Sequence, residues 1–242
     1  METHFSVLNV GKTPHPPHIY DEEEILIVVS GRAELIVEDA KGSNQLDRHS
    51  VKPGDFIYYP ANWRHTLENT FGEEVVYLMF KWISDEDHTS DTLESILVRG
   101  SSALTSDNKN SRGFDTEIIL EGKTGYLRKL HSHTTNMQAG GGYEPHADAY
   151  DVGIILLEGQ VETLGETVNG PAFIYYASGE QHGMKCTGDN PANYIVFEFH
   201  GRHGKLYESP RFIKRRKLKQ SLTQPSILVK HLLWRINRFL KR

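Results

Sequence analysis

The 242-residue sequence predicts an all-β protein built from two similar domains in tandem, followed by a basic amphipathic helix. Three observations support this fold class. One segment recurs within the chain, short runs of β-branched and aromatic residues alternate with Gly, Pro and Asn, and the last residues have a composition of their own. The predicted divisions are an N-terminal barrel (1–82), a linker with a short helix (83–114), a C-terminal barrel (115–208) and a helical tail (209–242).

The recurring segment begins with a proline and a histidine and ends at a glycine after an apolar run. His18 to Gly31 aligns without a gap with His146 to Gly159, at an offset of 128 residues. Internal repeats of this kind indicate that each copy is one structural unit.

A second repeat lies downstream at a different offset. The segment Phe-Ile-Tyr-Tyr at 56–59 returns at 173–176, and the same offset of 117 carries His65 onto His182. The eleven-residue difference between the two offsets predicts a longer hairpin loop in the first copy, at 39–50.

The predicted strands are short in both copies. They cover 5–10, 24–29, 33–38, 56–59 and 75–82 in the first copy, and 116–120, 126–134, 153–158, 161–164, 173–176 and 194–200 in the second. Between the copies, 91–98 is predicted to form a short helix, and 101–113 is a linker rich in Ser, Asn, Asp and Gly.

Composition excludes several classes of protein. No run of about 18 apolar residues is present, so no membrane-spanning helix is expected. The first residues lack the layout of a secretory signal, and the lone Cys186 excludes an internal disulfide; both predict a cytoplasmic protein. Residues 1–208 carry 16 Lys and Arg against 32 Asp and Glu, whereas 209–242 carry 11 Lys and Arg and no acid. Because most of the chain is acidic, nucleic acid is not an expected partner.

Side-chain alternation along strands brings out two metal-binding candidates. His18, Tyr20 and Glu24 share one face of an extended strand, and His65 comes from another strand. Two histidines and a carboxylate suit Fe, Mn, Ni or Zn as a divalent ion. A polar pocket that binds an organic ligand directly is the alternative.

The second copy offers an equivalent set. His146 and Asp148 share a face, and His182 takes the place of His65, but Val152 stands where the first copy has Glu24. His131 and His133 also share a face of a predicted strand, where they either line the barrel or have no site role.

These residues resemble the motifs of the cupin superfamily. The first copy reads His18-x-Tyr20-x3-Glu24-x6-Gly31 and Gly54-x5-Pro60-x-Asn62-x2-His65-x3-Asn69, with Tyr20 for a histidine and Asn62 for a glycine. The second reads His146-x-Asp148-x3-Val152-x6-Gly159, then Gly170, Ala177, Gly179 and His182. Four motifs in order resemble a bicupin, which implies two antiparallel jelly-roll barrels, each with a ligand site in its mouth.

The resemblance implies a metal-dependent protein but leaves its chemistry open. One hypothesis is an enzyme acting on a small polar molecule such as a sugar or sugar phosphate, as an isomerase, an epimerase or a dioxygenase. Glu24 and Tyr58 are then the predicted proton-transfer residues, and His18, Tyr20, Glu24, His65, His146, Asp148 and His182 the predicted metal ligands. The alternative is a non-catalytic ligand-binding or sensing bicupin. Cupin barrels often pair through sheet edges, so a homodimer is expected.

The tail predicts contact with a surface. Leu228, Leu232, Ile236 and Leu240 follow helical spacing, and basic residues and Trp234 surround them. An apolar face with basic flanks is typical of a helix that lies on an anionic membrane. Residues 211–242 are therefore predicted to place the protein at the inner face of the membrane, with docking on the protein or a partner as the alternative.

Overall fold

The computed structural model describes residues 2–83, 93, 97–99 and 113–201. These residues form strands and loops only, and none of them belongs to a helix long and apolar enough to cross a membrane. They fall into two compact units. The first unit contains residues 2–83, 93, 97–99 and 122–126, and the second contains 113–121 and 127–201. The predicted tail helix at 209–242 lies outside the described residues.

Seventeen strands make up the described residues. They are β1 (Glu2–Leu8), β2 (Glu23–Ser30), β3 (Ala33–Glu38), β4 (Leu46–Val51), β5 (Phe56–Tyr59), β6 (His65–Glu68), β7 (Val75–Trp82), β8 (Leu97–Arg99), β9 (Phe114–Gly122), β10 (Leu127–Met137), β11 (Gly142–His146), β12 (Asp151–Glu158), β13 (Gln160–Thr163), β14 (Glu166–Asn169), β15 (Ala172–Tyr176), β16 (His182–Cys186) and β17 (Ala192–Gly201).

The first unit consists of two antiparallel sheets. One has the strand order β1-β7-β2-β5-β8 and the other has the order β4-β3-β6. Alternate side chains of both sheets form one apolar core, which includes Leu26, Leu35, Ile57, Leu67 and Tyr77. Because side chains alternate along a strand, the same pattern selects the residues that face the interior.

The second unit repeats this arrangement. Its sheets have the orders β15-β12-β17-β10-β9 and β11-β16-β13-β14. Strands β10, β17, β12 and β15 thus correspond to β1, β7, β2 and β5, as the internal repeat predicts. The core is again shared between both sheets and includes Ile154, Leu156, Val161, Met184 and Val196.

The glycine that ends each repeated segment has the same structural role. Gly31 and Gly159 both have positive φ, at 77° and 88°. A Cβ on Gly31 would lie 2.3 Å from the carbonyl oxygen of Glu74, and a Cβ on Gly159 would lie 2.7 Å from that of Pro191. Only glycine combines this backbone conformation with so close an approach of a neighbouring chain.

Two local predictions differ from the structure. The region 39–50 is not only a loop, because Leu46–Val51 pairs with β3 as strand β4. Leu97 and Val98, predicted to end a short helix, lie instead in strand β8 beside β5. The pairing potential of the β5 edge overrides the weak helical pattern there. Of the remainder of 91–98, only Leu93 is among the described residues.

Candidate metal centre and cavity

Strand pairing brings together the predicted ligands of the second barrel. His146 at the end of β11 is the register partner of His182 at the start of β16. Asp148 follows two residues after β11, and its Oδ2 lies 3.6 Å from His146 Nε2 and 3.4 Å from His182 Nε2. Three side chains from two loop-and-strand junctions therefore converge on one point.

The backbone holds both histidines in the form that binds metals. The Nδ1 atom of His182 lies 3.0 Å from the Glu180 carbonyl oxygen, and that of His146 lies 3.2 Å from the Glu144 carbonyl oxygen. Each Nδ1–H donates to its carbonyl, so the Nε2 lone pair points towards Asp148. His182 also stacks on Tyr176, with ring centroids 3.9 Å apart.

Burial favours the neutral state of His182. Its side chain is only 4% exposed, and burial, with a further contribution from His146, lowers its pKa. Neutral imidazole is the ligand form of histidine, and Asp148 supplies a negative oxygen beside it. The residues present thus fit a divalent cation.

Two groups of residues in the described chain have ligand atoms close enough for one ion, and both lie in the second unit. They are His146, Asp148 and His182, and His131, His133 and Glu198; within each group the atoms lie within 4.8 Å of one another. Neither group includes a residue of the first barrel.

Residues of both groups line a cavity of about 650 Å³ in the second barrel. His146, Asp148 and His182 line it together with His133 and Glu198. Apolar and aromatic side chains complete the wall: Phe114, Tyr143, Val152, Ile154, Tyr194 and Val196. The volume is that of a small-molecule site.

Glu198 is a cavity residue that the motif pattern does not identify. In β17 it is the register partner of Val152 in β12, the valine that replaces the motif glutamate. The second barrel therefore retains a carboxylate at this level, but on the neighbouring strand. The signal in the sequence was the offset of 117, which aligns Glu198 with Lys81.

Glu198 belongs to a hydrogen-bonded group at the cavity wall. Its Oε2 lies 2.9 Å from His200 Nε2. Burial raises the pKa of Glu198, but His200, His131 and His133 outweigh burial and the net pKa is lowered. Tyr150 interacts with both Glu198 and Asp148; burial and these two carboxylates raise its pKa, so its hydroxyl remains protonated.

His133 lines the cavity of the second barrel. Burial, with a contribution from His131, lowers the pKa of His133 to about 4. His131 Nε2 lies 3.1 Å from His133 Nδ1. The sequence left open whether this pair lines the barrel or has no site role. His133 lines the barrel.

The first barrel contains a different arrangement at the equivalent positions. Glu24 is fully buried, and its Oε2 lies 3.0 Å from His65 Nε2 while its Oε1 lies 2.7 Å from Lys81 Nζ. Lys81 is the register partner of Glu24 in β7. Burial raises the pKa of Glu24, but hydrogen bonds and charges from His65 and Lys81 outweigh it and lower the pKa overall.

This arrangement does not fit a metal ion in the first barrel. The ammonium group of Lys81 already faces the motif glutamate, and a second cation there would be repelled. The Nδ1 atom of His65 lies 2.8 Å from the Trp63 carbonyl oxygen, as the Nδ1 atoms of His146 and His182 face carbonyls, so it is the lysine that distinguishes this site.

The remaining predicted ligands of the first barrel, His18 and Tyr20, contact each other through their rings. His18 pairs with His65 through the backbone, as His146 pairs with His182. The rings of His18 and Tyr20 lie edge to face with centroids 3.9 Å apart, and Lys81 Nζ lies 3.5 Å above the Tyr20 ring. Tyr20 thus binds the lysine through a cation–π contact. His18 and Tyr20 lie near Glu24 and His65, but not as a metal-ligand group.

Tyr58 lies on the wrong face of its strand to act with Glu24. The register partner of Glu24 in β5 is Tyr59, which stacks on His65 with centroids 3.8 Å apart. Tyr58 faces the other side, where its hydroxyl donates to Glu23 Oε1 at 3.2 Å. Alternation separates the two predicted proton-transfer residues.

Glu23 is buried on that opposite face. Trp82 Nε1 donates to its Oε2 at 2.7 Å, and Thr124 Oγ1 donates to the same oxygen at 2.6 Å. Burial raises its pKa, although these donors oppose the shift. Glu23 thus has a structural role, because its hydrogen bond with Thr124 holds residues 122–126 in the first unit.

The two units are jelly-roll barrels that differ in their interior polar sites, one compatible with a metal and one closed by a lysine. Comparison with known proteins gives the family. Residues 4–81 match the model of the cupin domain family. A search of curated protein sequences finds no match.

Solved structures share the fold of most of the chain at low sequence identity. AerE from Microcystis aeruginosa is 17% identical with a TM-score of 0.61, covering 81% of this chain and 86% of its own. A Pseudomonas aeruginosa protein described as glyoxylate-induced is 17% identical with a TM-score of 0.62, covering 83% and 75%. Oxalate decarboxylase from Bacillus subtilis, which has Mn(II) centres, is 14% identical with a TM-score of 0.57, covering 83% and 69%. The family match thus covers residues 4–81, and most of the chain shares the fold of these solved structures.

Proposed function

We propose that the protein is a bicupin that binds a divalent metal in its second barrel and there acts on a small polar molecule. One observation supports this above all: His146, Asp148 and His182 converge at the wall of a cavity of about 650 Å³, with the Nδ1 atoms of both histidines facing backbone carbonyls. Mn, Fe, Ni and Zn all suit two imidazoles and a carboxylate.

The residues around this site can carry acid–base chemistry. A divalent ion held by the three ligands would supply a Lewis acid for an oxygen atom of the bound molecule. Glu198 faces the same cavity, and His200 holds one of its oxygens. When only the motif ligands hold an ion, the ionised carboxylate of Glu198 can accept a proton from the bound molecule and return it, which is the role of a general base in an isomerase or epimerase. This assignment replaces Glu24 and Tyr58 as proton-transfer residues.

The charges of the cavity favour a neutral polar molecule. Glu144, Asp148 and Glu198 are among its lining residues, and the lining contains no Lys or Arg. With no Lys or Arg in the lining, a phosphate group would have only bound metal as a cationic partner, whereas a polyhydroxylated molecule finds many hydrogen-bond acceptors. We therefore place a neutral sugar or polyol ahead of a sugar phosphate.

Metal analysis tests the proposal directly. The full chain is purified without chelators, and metal per chain is measured by mass spectrometry. His182→Ala should remove one equivalent of metal. His65→Ala is the matched control because it changes the equivalent histidine of the first barrel, and it should retain the wild-type content. Equal metal content in wild type and His182→Ala would contradict the proposal.

Ligand binding separates an enzyme from a binding module. Neutral sugars and their phosphates are titrated into the metal-loaded chain by calorimetry, with Glu198→Gln as the variant. Neutral ligands should bind more tightly, and the variant should lose turnover while binding is kept. Tight binding with no turnover in the wild type would favour the sensing alternative, which the lysine-closed first barrel also supports.

The tail and oligomer remain proposals that rest on the sequence. We propose that 211–242 binds anionic membranes and that the chain forms a homodimer. Flotation with vesicles containing phosphatidylserine, for the full chain and for a chain ending at 208, should show that only the full chain floats. Equal flotation of both would contradict membrane contact. Light scattering should give twice the chain mass, and the mass of one chain would contradict the dimer.

A further inference from the structure

The second group of ligand atoms lies on two paired strands of the second barrel. His131 and His133 alternate on β10, so they share one face. The register partner of His131 on β17 is Glu198. Two histidines from one strand and a carboxylate from the next therefore project from the same side of the sheet.

The distances within this group suit a single ion. His131 Nε2 lies 3.1 Å from His133 Nδ1, and the ligand atoms of all three residues lie within 4.8 Å of one another. Two imidazole nitrogens and a carboxylate oxygen form a ligand set for Zn, Mn, Fe or Ni.

Outer contacts orient two of the three residues. The Oε2 atom of Glu121 lies 2.6 Å from His131 Nδ1, and this hydrogen bond leaves the Nε2 lone pair directed at His133. A carboxylate behind a ligating histidine is a common support in metal sites. On the other strand, His200 holds Oε2 of Glu198 at 2.9 Å. Contacts of this kind reduce the reorganisation that binding requires.

We propose that His131, His133 and Glu198 form a second divalent-cation site in the second barrel, distinct from the one at His146, Asp148 and His182. Since His133 and Glu198 line the same cavity as the motif ligands, both ions would face one bound molecule. Tyr150 interacts with one carboxylate of each group, Glu198 and Asp148. The site is independent of the motif residues, so the two can be removed separately.

The experiment measures metal stoichiometry rather than activity. The full chain is stripped with a chelator, dialysed and titrated with Mn²⁺ or Zn²⁺ alone under equilibrium dialysis. Wild type should bind two equivalents more than the double variant His131→Ala/His182→Ala. His131→Ala and His182→Ala should each lose one. His49→Ala, which removes an exposed histidine of β4, is the control and should lose none.

A conservative variant tests the supporting contact. Glu121→Gln keeps all three ligands but alters the hydrogen bond to His131, so it should weaken one equivalent by about 10–100-fold and leave the other unchanged. Circular dichroism confirms that each variant is folded. The proposal is overturned if His131→Ala and Glu198→Gln both bind as many equivalents as wild type, whatever His182→Ala does. Unchanged binding by His182→Ala alone would instead contradict the proposed function.

Discussion

Lys81 is the residue that most distinguishes the first barrel from the second, and its removal gives a strong test. Its ammonium group lies 2.7 Å from Oε1 of Glu24, and the two side chains are 14% and 0% exposed. Lys81→Met retains most of the apolar length of the side chain but removes the charge. Glu24 then keeps its contact with His65, while its other oxygen is buried without the ammonium group.

The expected loss can be estimated from the burial of the pair. Removing one partner of a buried ion pair typically costs about 3–5 kcal/mol, because the remaining charge stays desolvated. Lys81 is partly exposed and His65 remains, so the lower end applies, about 3 kcal/mol. With a urea dependence of about 1–3 kcal/mol/M, the midpoint of unfolding should fall by about 1–3 M.

Tryptophan fluorescence can follow the first barrel by itself. The chain has three tryptophans: Trp63 and Trp82 in the first unit, and Trp234 in the tail. In a Trp234→Phe background the signal therefore reports on the first unit alone. Urea unfolding of this background and of its Lys81→Met derivative gives the difference in the free energy of unfolding.

A double-mutant cycle decides whether the charge pair is the cause. Glu24→Gln in the Lys81→Met chain removes the buried charge, so the double variant should be more stable than the sum of the two single losses predicts, by about 0.5–3 kcal/mol. A midpoint for Lys81→Met within about 0.3 M of the background, or strictly additive losses, would refute the reasoning.

Three further predictions use the same fluorescence assay. Folding lowers the pKa of Glu24 from 4.5, so between the folded-state pKa and about 4.5 the unfolded state binds more protons. The free energy of unfolding should therefore fall as pH drops below about 4.5, and Glu24→Gln should flatten this dependence. A flat wild-type profile would contradict it. Glu23→Ala removes the acceptor of buried donors, among them Trp82 Nε1, and should lower the free energy of unfolding by about 3 kcal/mol or more. A loss below about 1 kcal/mol would be inconsistent with this role. Gly31→Ala should cost several times more than Gly42→Ala, since both have φ of 77° but only Gly31 faces a close carbonyl oxygen. Equal losses would exclude the steric cause.

Much of the fold could be predicted from residue patterns. The strands that are near-continuous apolar runs, such as β2, β7, β12 and β17, were predicted because short runs of β-branched and aromatic residues between turn residues indicate buried strands. The strands that were missed, β4, β6, β8, β11, β14 and β16, are short, and polar residues dominate most of them. Their pairing depends on neighbours that are distant in the chain, which a local pattern does not contain.

The site was predictable only in part for a related reason. Alternation places Glu24 and Glu23 on opposite faces of β2. The internal repeat aligns His146 with His18 and His182 with His65. Alternation does not say which face of β5 is interior, so Tyr58 was chosen where Tyr59 occupies that face.

Residue patterns are enough to establish two copies of one β-domain and to show which histidines stand at corresponding positions, because repeats and side-chain period are local properties of the chain. The surroundings of those histidines depend instead on contacts between strands that are distant in the sequence. Register across neighbouring strands sets Lys81 against Glu24 in one barrel and Glu198 against Val152 in the other. A cation beside the motif carboxylate closes the first site to metal. In the second barrel the carboxylate lies on the next strand, where Glu198 joins a second group of potential metal ligands. This pairing is visible only when the strands are placed side by side.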